Sequence, residues 1–480
     1  MQHFCFSAAS QGLKYGRRGA LLLALGAAWP AAWGQSFGPV RFYSAGSGNA
    51  LAGVALGDVN GDGRLDVVAA NYGANGVAVL LGQAGGGFAT LSPLYSTGAG
   101  SVPNSIALAD VNGDGRLDAV TANQRTYSAG VLLGQATGGF AAVSTHSAGP
   151  TTMPVTLALG DVNGDGRPDI VTANSFADEV GVLLGQASGG FVPVSAYATG
   201  AGSQPASVAL GDVNGDGRLD IVTANINNNA AGVLLGQAGG TFAPITTYPS
   251  GANSNPNDVV LGDVNGDGRL DIVIANLRTA SAGVLLGLAS GGFGPVSTYF
   301  TNGNTPLGVA LGDVTGDGRL DIVTANAAGT VSVLPGLAGG TFAAATAFAI
   351  GAGTMPADVA LGDLNGDGRL DIVTALFVST ANNIGVLLNT GTYLATARPT
   401  AADVSLAPNP AHDAFTVTLP TTLASAPMRA ELLNALDQVV RRPTAGTASF
   451  RVETGGLTPG VYTLRLATDA GALARRVVLE

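Results

Sequence analysis

The stretch GDVNGDGRLDIVTAN, Gly211–Asn225, recurs in close copies along most of the 480-residue chain. The first aspartates of the seven copies are Asp58, Asp110, Asp161, Asp212, Asp263, Asp313 and Asp363. Successive copies therefore start 50 to 52 residues apart. A constant period of this length predicts a repeat architecture in which each copy forms one supersecondary unit.

Each period contains four short apolar runs. In residues 205–248 they are PASVALGDV, LDIVTAN, AGVLLGQ and TFAPITTY, and Gly, Asn, Asp or Pro bounds each of them. Runs of this length and composition are typical of strands and are too short for ordinary helices. The fourth strands are predicted to begin at Phe88, Phe140, Phe191, Phe242, Phe293 and Phe342. Four strands repeated seven times predict an all-β, seven-bladed β-propeller, with an open solenoid as the alternative.

The two ends of the array favour a closed ring over residues 35–395. The seventh period stops at GVLLNTGTYLATARP without a complete fourth strand, whereas FGPVRFY at residues 37–43 closely resembles FGPVSTY at residues 293–299. A first strand that completes the last blade leaves no exposed sheet edge at that point. An open stack gives no reason for such an offset.

The repeated DVNGDGRLD loop predicts a cation site in every blade. Oxygen donors at positions 1, 3, 5, 7 and 9, with Gly at position 6, suit a hard cation of calcium size. Two carboxylates about 4 Å apart repel by about 4 kcal/mol at an effective dielectric of about 20, and a cation reverses that sign. Seven loops with three aspartates each contain 21 of the 32 acidic residues. We therefore predict up to seven calcium ions, with magnesium as the alternative.

The position-7 residue of each loop, an arginine in all seven, is expected to contribute its backbone carbonyl. The predicted ligands are Asp58, Asn60, Asp62, Arg64, Asp66, Asp110, Asn112, Asp114, Arg116, Asp118, Asp161, Asn163, Asp165, Arg167, Asp169, Asp212, Asn214, Asp216, Arg218, Asp220, Asp263, Asn265, Asp267, Arg269, Asp271, Asp313, Thr315, Asp317, Arg319, Asp321, Asp363, Asn365, Asp367, Arg369 and Asp371. Thr315 replaces Asn in the sixth loop, so its affinity is expected to differ. An EF-hand does not fit, because position 12 is not an acidic ligand and lies in a strand-like run, as Thr223 does.

The repeated nine-residue motif resembles the FG-GAP/VCBS repeat family, whose members resemble the β-propeller of integrin α-subunits. The resemblance covers about residues 36–395. It implies a structural cation between the first and second strands of each blade, on the lower face. It also implies that partners meet the opposite face.

The N-terminal 34 residues read as a signal peptide. Lys14, Arg17 and Arg18 precede a short apolar stretch, Ala20–Trp33, and Ala32 and Gly34 suit a cleavage site. Cleavage would remove every Cys, Trp and Lys, so disulfides are not expected to hold the mature chain. No transmembrane segment is expected after cleavage.

A second domain is predicted at residues 403–480, after a linker at 396–402. Its apolar runs indicate a small Ig-like β-sandwich of about seven short strands. PNP at residues 408–410, LTPGVYTLRL at 457–466 and the ending RRVVLE resemble the C-terminal sorting domain of type IX secretion. The resemblance implies recognition by that machinery and delivery to the outer surface or medium of a two-membrane bacterium.

Catalysis is not expected. Residues 35–395 contain one His (His146) and one Glu (Glu179), so a paired-Glu glycosidase site cannot be built from them. Asp178, Asp258 and Asp358 lie outside the loops and are interpreted as turn or cap residues. We predict a monomeric calcium-binding protein for non-catalytic binding or adhesion, with a lectin or a secreted polysaccharide-degrading enzyme as the alternatives.

The segments between the second and third strands vary most from repeat to repeat, which is expected of a face whose repeats do not share a task. The predicted contact residues are Tyr72, Arg125, Tyr127, Phe176 and Arg278. The alternative is that these segments are unconstrained turns. The partner is expected to be an extracellular protein or glycan. Nucleic acid is disfavoured by the formal net charge of −11 and the lack of a basic patch.

Overall fold

The computed structural model describes most of the chain from Ser36 onward. The described residues are 36–46, 50–89, 94–136, 138–187, 189–378, 383–391, 404–407, 411–419, 428–433, 439–443, 449–458, 460–468 and 471–479. The predicted signal peptide (1–34), linker (396–402) and PNP motif (408–410) lie outside them. Within the described residues no helix is long and apolar enough to span a bilayer.

Residues 41–387 form seven four-stranded antiparallel sheets, numbered here in chain order. Sheet 1 contains Leu51–Gly57, Asp66–Asn71, Gly76–Leu80 and Tyr95–Ser96; sheet 2 contains Pro103–Ala109, Asp118–Asn123, Ser128–Leu132 and Ser144–Ser147; sheet 3 contains Pro154–Gly160, Asp169–Asn174, Glu179–Leu183 and Ser195–Ala198. Sheet 4 contains Pro205–Gly211, Asp220–Asn225, Ala230–Leu234 and Thr246–Pro249; sheet 5 contains Pro256–Gly262, Asp271–Asn276, Ser281–Leu285 and Ser297–Phe300. Sheet 6 contains Pro306–Gly312, Asp321–Asn326, Thr330–Leu334 and Thr346–Ala349; sheet 7 contains Met355–Gly362, Asp371–Val378, Asn383–Leu387 and, from the start of the described chain, Arg41–Ser44.

The sheets pack face to face through their second and third strands. Every residue of Asp220–Asn225 and Ala230–Leu234 is buried, which explains why apolar residues such as Ile221 and Val222 adjoin each other instead of alternating with exposed polar residues. The hydrophobic clusters join neighbouring sheets: Val68 and Val79 of sheet 1, for example, share one cluster with Leu132 of sheet 2. Burial of each such Val or Leu contributes about 1.5–3 kcal/mol, so the interfaces between sheets form the main core of the array.

The last sheet is completed by the first strand of the described chain. Arg41–Ser44 pairs antiparallel with Asn383–Leu387, with Phe42 opposite Gly385. The repeat offset predicts this pairing. The first strand of sheet 7 also contacts the first strand of sheet 1, and a single hydrophobic cluster contains side chains from both sheets.

The predicted start of the fourth strands is wrong by several residues. In sheet 4 the strand begins at Thr246 and not at Phe242, which forms only a two-residue ladder with Gly236. The same phenylalanine forms an isolated bridge or a short ladder in the other repeats, as Phe140 does with Gly134. The ring of this phenylalanine is buried in every repeat except at the half-buried Phe191, and its backbone pairs with that of a glycine. The strand with alternating side chains therefore starts only after the phenylalanine. Three two-residue ladders of this kind are Gly82–Gln83 with Gly87–Phe88, Gly236–Gln237 with Thr241–Phe242, and Gly336–Leu337 with Thr341–Phe342.

The described residues from 404 onward contain seven further strands in two sheets. A three-stranded sheet contains Ser405–Ala407, Ala414–Thr418 and Ser449–Glu453, and a four-stranded sheet contains Val439–Arg441, Met428–Leu433, Gly460–Thr468 and Gly471–Leu479. Phe415 and Val452 of the first sheet share one hydrophobic cluster with Leu432 and Leu464 of the second. The predicted count of about seven short strands agrees with this arrangement.

Candidate functional site

The first aspartate of each acidic loop organises the turn from within. In sheet 4, Asp212 Oδ1 accepts hydrogen bonds from the N–H groups of Gly215 and Asp216, at 2.7 and 3.0 Å. Its Oδ2 accepts another from Gly217, at 2.8 Å. Gly215 and Gly217 have φ of 76° and 83°, which glycine adopts without a steric penalty. The turn is therefore closed around one carboxylate.

The ninth residue of the loop is buried and ties the loop to the chain just after the third strand. Asp220 is fully buried, and it accepts hydrogen bonds from Val213 N at 2.9 Å and from Gly236 N at 2.7 Å. A Cβ on Gly236 would lie 2.3 Å from the carbonyl oxygen of Leu219, so this close approach requires glycine. Burial raises the pKa of Asp220, and the nearby carboxylates of Asp216 and Asp212 raise it further. The same causes raise the pKa of Asp371 to about 6.

The fifth residue is exposed and already has a cationic partner. Asp216 accepts hydrogen bonds from Asn214 Nδ2 at 3.0 Å and from the Arg218 guanidinium, with which it forms an ion pair. Arg218 Nε also donates to the carbonyl of Gly236, at 2.9 Å. Every one of the seven loops has this Arg–Asp ion pair. Sequence reasoning assigned these arginines only a backbone carbonyl and missed the ion pair.

The loops contain the donor atoms that calcium prefers, in an arrangement that satisfies those donors internally. All the predicted side-chain ligands are carboxylate or amide oxygens except the hydroxyl of Thr315, and oxygen donors are what a hard cation requires. In loop 4, however, the oxygens of Asp212, Asp216 and Asp220 accept hydrogen bonds from N–H groups. In the described part of the chain, no group of three His, Cys, Asp or Glu side chains is gathered as a metal site would need. The loop therefore suits calcium in donor type, and its carboxylates do not already converge on an ion position.

The sixth loop, in which Thr315 replaces Asn, differs in structure from the others. Thr315 N donates to Asp321 Oδ2 at 2.9 Å, and the Thr315 hydroxyl lies 3.5 Å from Asp313 Oδ1. The side chain of Asp317 is 11% exposed, whereas the equivalent side chain in the fourth loop is 28% exposed. Burial raises the pKa of Asp321 to about 6. This loop is the most enclosed of the set.

The predicted contact residues lie on the turns between second and third strands. Phe176 is 69% exposed and Tyr127 is 38% exposed, and Arg125 and Arg278 are also exposed. Tyr72 is half-buried, and its ring packs edge-on against Phe377 at 5.2 Å. Four of the five residues therefore present substantial surface, while Tyr72 has a packing role as well.

His146 and Glu179, the two residues that acid–base catalysis would have to use, both interact with neighbouring residues of the sheets. His146 lies in the fourth strand of sheet 2 and packs edge-on against Phe191 at 5.1 Å, where sheet 4 places Tyr248 against Phe293. Burial lowers the pKa of His146. Glu179 accepts a hydrogen bond from Asn174 Nδ2 at 3.4 Å, and burial raises its pKa.

Of the three aspartates interpreted as turn or cap residues, only Asp178 has that role. Its carboxylate accepts hydrogen bonds from the N–H groups of Gly202 and Gln204, at 2.7 and 2.9 Å. Asp258 and Asp358 lie within first strands and line a cavity, so the interpretation is wrong for them. An alignment of the repeats on their first strands, five of which open with proline, would have shown both at one position.

Comparisons with known proteins assign the class. Six matches to the FG-GAP-like repeat model cover residues 58–121, 118–172, 161–223, 212–274, 264–324 and 313–374. Each match begins in one acidic loop and ends in the second strand of the next sheet, just past the next acidic loop. Six matches therefore span seven loops. Residues 405–480 match the secretion system C-terminal sorting domain. The molecule is thus an all-β repeat protein that type IX secretion delivers to the outer cell surface or the extracellular space.

The chain belongs to the FG-GAP-like repeat family, which confirms the resemblance seen in the sequence. Its fold is similar to that of BBS1N crystallised in complex with ARL6DN and soaked with lead, at 13% identity and a TM-score of 0.51, over 73% of this chain and 95% of that one. A mercury-soaked crystal of the same complex gives 12% identity and a TM-score of 0.51, over 75% and 98% of the two chains. These likenesses support a β-propeller-like fold. No curated protein matches the sequence.

Proposed function

We propose that the seven sheets are the blades of one closed β-propeller, that the C-terminal strands form an Ig-like sandwich, and that the propeller is a non-catalytic binding scaffold outside the cell. Its partner is an extracellular protein or glycan, contacted by the turns between second and third strands. Two features support the closed ring: the pairing of Arg41–Ser44 with the last sheet, and the contact between the first strands of sheets 7 and 1.

The observation that carries the binding proposal is the conformation of Tyr127. The fourth residue after the second strand has left-handed φ in five turns: Asn75 (55°), Tyr127 (52°), Asp178 (52°), Asn229 (51°) and Ala280 (50°). This conformation favours Asn, Asp or Gly and is costly for a bulky side chain. The backbone is thus conserved from turn to turn while the side chain is not.

The residues that suit this conformation also make a hydrogen bond that Tyr127 cannot make. Asn75 Oδ1 accepts from Val102 N at 2.9 Å, and Asn229 Oδ1 accepts from Asn255 N at 3.0 Å. Each bond ties a turn to the connection that leads into the next sheet. Tyr127 bears the cost of the left-handed φ without this bond, yet it presents an aromatic ring to solvent. A residue that breaks the local rule without a structural gain supports a role in binding.

Replacement of Tyr127 by Asn separates binding from stability. Relief of the left-handed strain, about 1–2 kcal/mol, and a new hydrogen bond of about 1 kcal/mol should raise the melting temperature. Binding to partners found by a glycan and protein array should fall at the same time. Ala280→Asn is the matched control, because it offers the same gain in stability and removes no exposed ring. If the wild type and the double variant Tyr127→Asn, Phe176→Ala bind the partner equally, the proposed contact face is refuted.

We also propose that the acidic loops bind calcium, up to one ion each. The residues that would hold it in the fourth loop are Asp212, Asn214, Asp216, Asp220 and the carbonyl of Arg218. Three carboxylates and one arginine leave each loop with a formal charge of −2, which supports a divalent cation as the missing partner. Bound calcium would neutralise that charge and stabilise the folded chain by mass action.

The Arg–Asp ion pair predicts competition between the guanidinium and the ion. Arg218→Gln removes a cation that pairs with Asp216, so calcium affinity at that loop should increase. Calcium binding can be measured by isothermal titration, and the melting temperature with calcium and with chelator provides a second readout. Thr315→Asn gives the sixth loop the Asn that the other loops have. It is compared with the wild type by the same two measurements. Identical melting with calcium and with chelator, for wild type and for Arg218→Gln alike, would rule out the calcium proposal.

A further inference from the structure

The first strands of the seven sheets enclose a cavity of about 320 Å³ at the end where these strands begin. In each first strand the pairing with the second strand shifts by one residue immediately after the strand opens. Bulges of this kind re-aim a side chain, and they are frequent beside functional sites. The same register position therefore faces the cavity in every sheet. Small and neutral residues occupy it in five sheets: Gly53, Ser105, Thr156, Ser207 and Gly308.

The other two sheets place a carboxylate at that position. Asp258 Oδ1 accepts from the Ser207 hydroxyl at 2.7 Å, and its Oδ2 accepts from Val309 N at 2.8 Å. Asp358 Oδ2 accepts from Val54 N at 2.9 Å. Both aspartates are surrounded by protein, yet they keep part of their surface open to the cavity. These bonds orient both carboxylates from neighbouring sheets and leave lone pairs on their oxygens.

The two carboxylates have no cationic partner among the described residues. None of the ion pairs in the described part of the chain includes Asp258 or Asp358. Burial raises the pKa of both, and the charge of Asp258 helps to raise that of Asp358 to about 7. An enclosed negative charge is stabilised most by a paired positive charge, which the cavity has room to admit.

The rest of the lining indicates which kind of cation fits. Val155, Ile226 and Leu307 contribute apolar surface to the same cavity as the two carboxylates. A hydrated divalent ion gains nothing from such walls, and the described residues offer it no third carboxylate there. An alkylammonium group uses both features, because its methylenes contact the apolar walls and its charge reaches the acids. Residues 35–480 contain no lysine, so the mature chain's own side chains do not supply such a group.

We propose that this cavity binds an aliphatic ammonium group, such as the end of a lysine side chain or a small primary amine, between Asp258 and Asp358. The site uses none of the acidic-loop residues and none of the five predicted contact residues, although Ser175 and Ile226 of its lining begin two of the turns between second and third strands. It requires neither calcium nor Tyr127. The ammonium donates hydrogen bonds to the carboxylates, and the hydrocarbon chain extends along Val155 and Leu307 toward the cavity mouth.

The test uses butylammonium and 1-butanol as matched probes on the secreted protein, titrated by NMR at constant calcium. Butylammonium is expected to bind and butanol to bind at least about tenfold more weakly, because only the charged probe pairs with the acids. The double variant Asp258→Ser, Asp358→Ser carries the residue that sheets 2 and 4 already have at this position, so folding is expected to persist. It should lose the preference for butylammonium.

Asp178→Ser is the control, since that carboxylate lies on a turn outside the cavity lining; it should leave butylammonium binding unchanged. Equal binding of the two probes by wild type, or no detectable binding of either, would overturn the proposal. So would undiminished butylammonium binding by the double Ser variant. Displacement of butylammonium by calcium in Asp178→Ser as in wild type would instead assign the cavity to a metal ion. Thermal melts of all the variants show that each comparison is made between folded proteins.

Discussion

The buried ninth residue of each loop should matter more to stability than the exposed fifth, even without calcium. Asp220→Ala leaves the N–H groups of Val213 and Gly236 buried without their acceptor. Each unsatisfied group costs about 1–3 kcal/mol, so the loss of stability should be about 2–6 kcal/mol. The lower half of that range is expected, because burial and like charges already destabilise the native carboxylate. Asp220→Asn keeps one oxygen acceptor and should lose roughly half as much.

Asp216→Ala in the same loop is the matched control. It removes an exposed ion pair with Arg218, and such pairs contribute about 0–1 kcal/mol. Thermal unfolding followed by circular dichroism in excess chelator separates the two effects, since no ion is then present. Equal losses for Asp220→Ala and Asp216→Ala would show that the hydrogen bonds of the buried carboxylate do not hold the loop to the chain that follows the third strand. Greater loss for Asp216→Ala would refute the reasoning outright.

Three further predictions concern other parts of the array. Gly236→Ala should destabilise the protein by about 1–3 kcal/mol in denaturant unfolding, because its Cβ would lie 2.3 Å from a carbonyl oxygen; no change would contradict the close approach. Asp358 has a pKa raised from 3.8 to about 7, so the folded state keeps a proton that the unfolded state releases, and stability should fall as pH rises across that interval. Only Asp258 faces Asp358 as a charged group in the described residues, and Asp358→Ser should show a flatter dependence of melting temperature on pH; the same slope in both proteins would exclude Asp358 as its source. Deletion of residues 36–44 should expose the edge strand Asn383–Leu387 and promote oligomers in size-exclusion chromatography, whereas a well-behaved monomer would argue against ring closure by that strand.

The sequence predicted those parts of the fold that repetition makes visible. Seven copies of one motif indicated repeated four-stranded sheets, and the likeness of residues 37–43 to residues 293–299 indicated which strand completes the last one. The fourth strands were misplaced because a buried phenylalanine looks like the start of an alternating run. Only the structure shows that the backbone of Phe140 pairs with that of Gly134 in a single bridge, separate from the fourth strand.

The site was less predictable because its chemistry depends on which way oxygens point. The spacing of Asp212, Asp216 and Asp220 predicts a shared cation, but spacing does not show that each carboxylate accepts N–H groups. The cavity carboxylates were assigned the wrong role for a different reason. Asp258 and Asp358 are exceptions to the repeat, since the other five sheets carry a small neutral residue at that position, so the shared pattern gives no sign that they face a cavity.

Closure of the array by its first strand has a consequence for how the chain matures. Residues 41–44 are among the first to be synthesised, and their hydrogen-bonding partners at 383–386 follow only after all seven acidic loops. A nascent or truncated polypeptide therefore cannot finish its last sheet, however well its early repeats have formed. Completion of the last sheet reports that the whole array has been made, and an interrupted product is marked by two unsatisfied strand edges that proteases and chaperones can recognise.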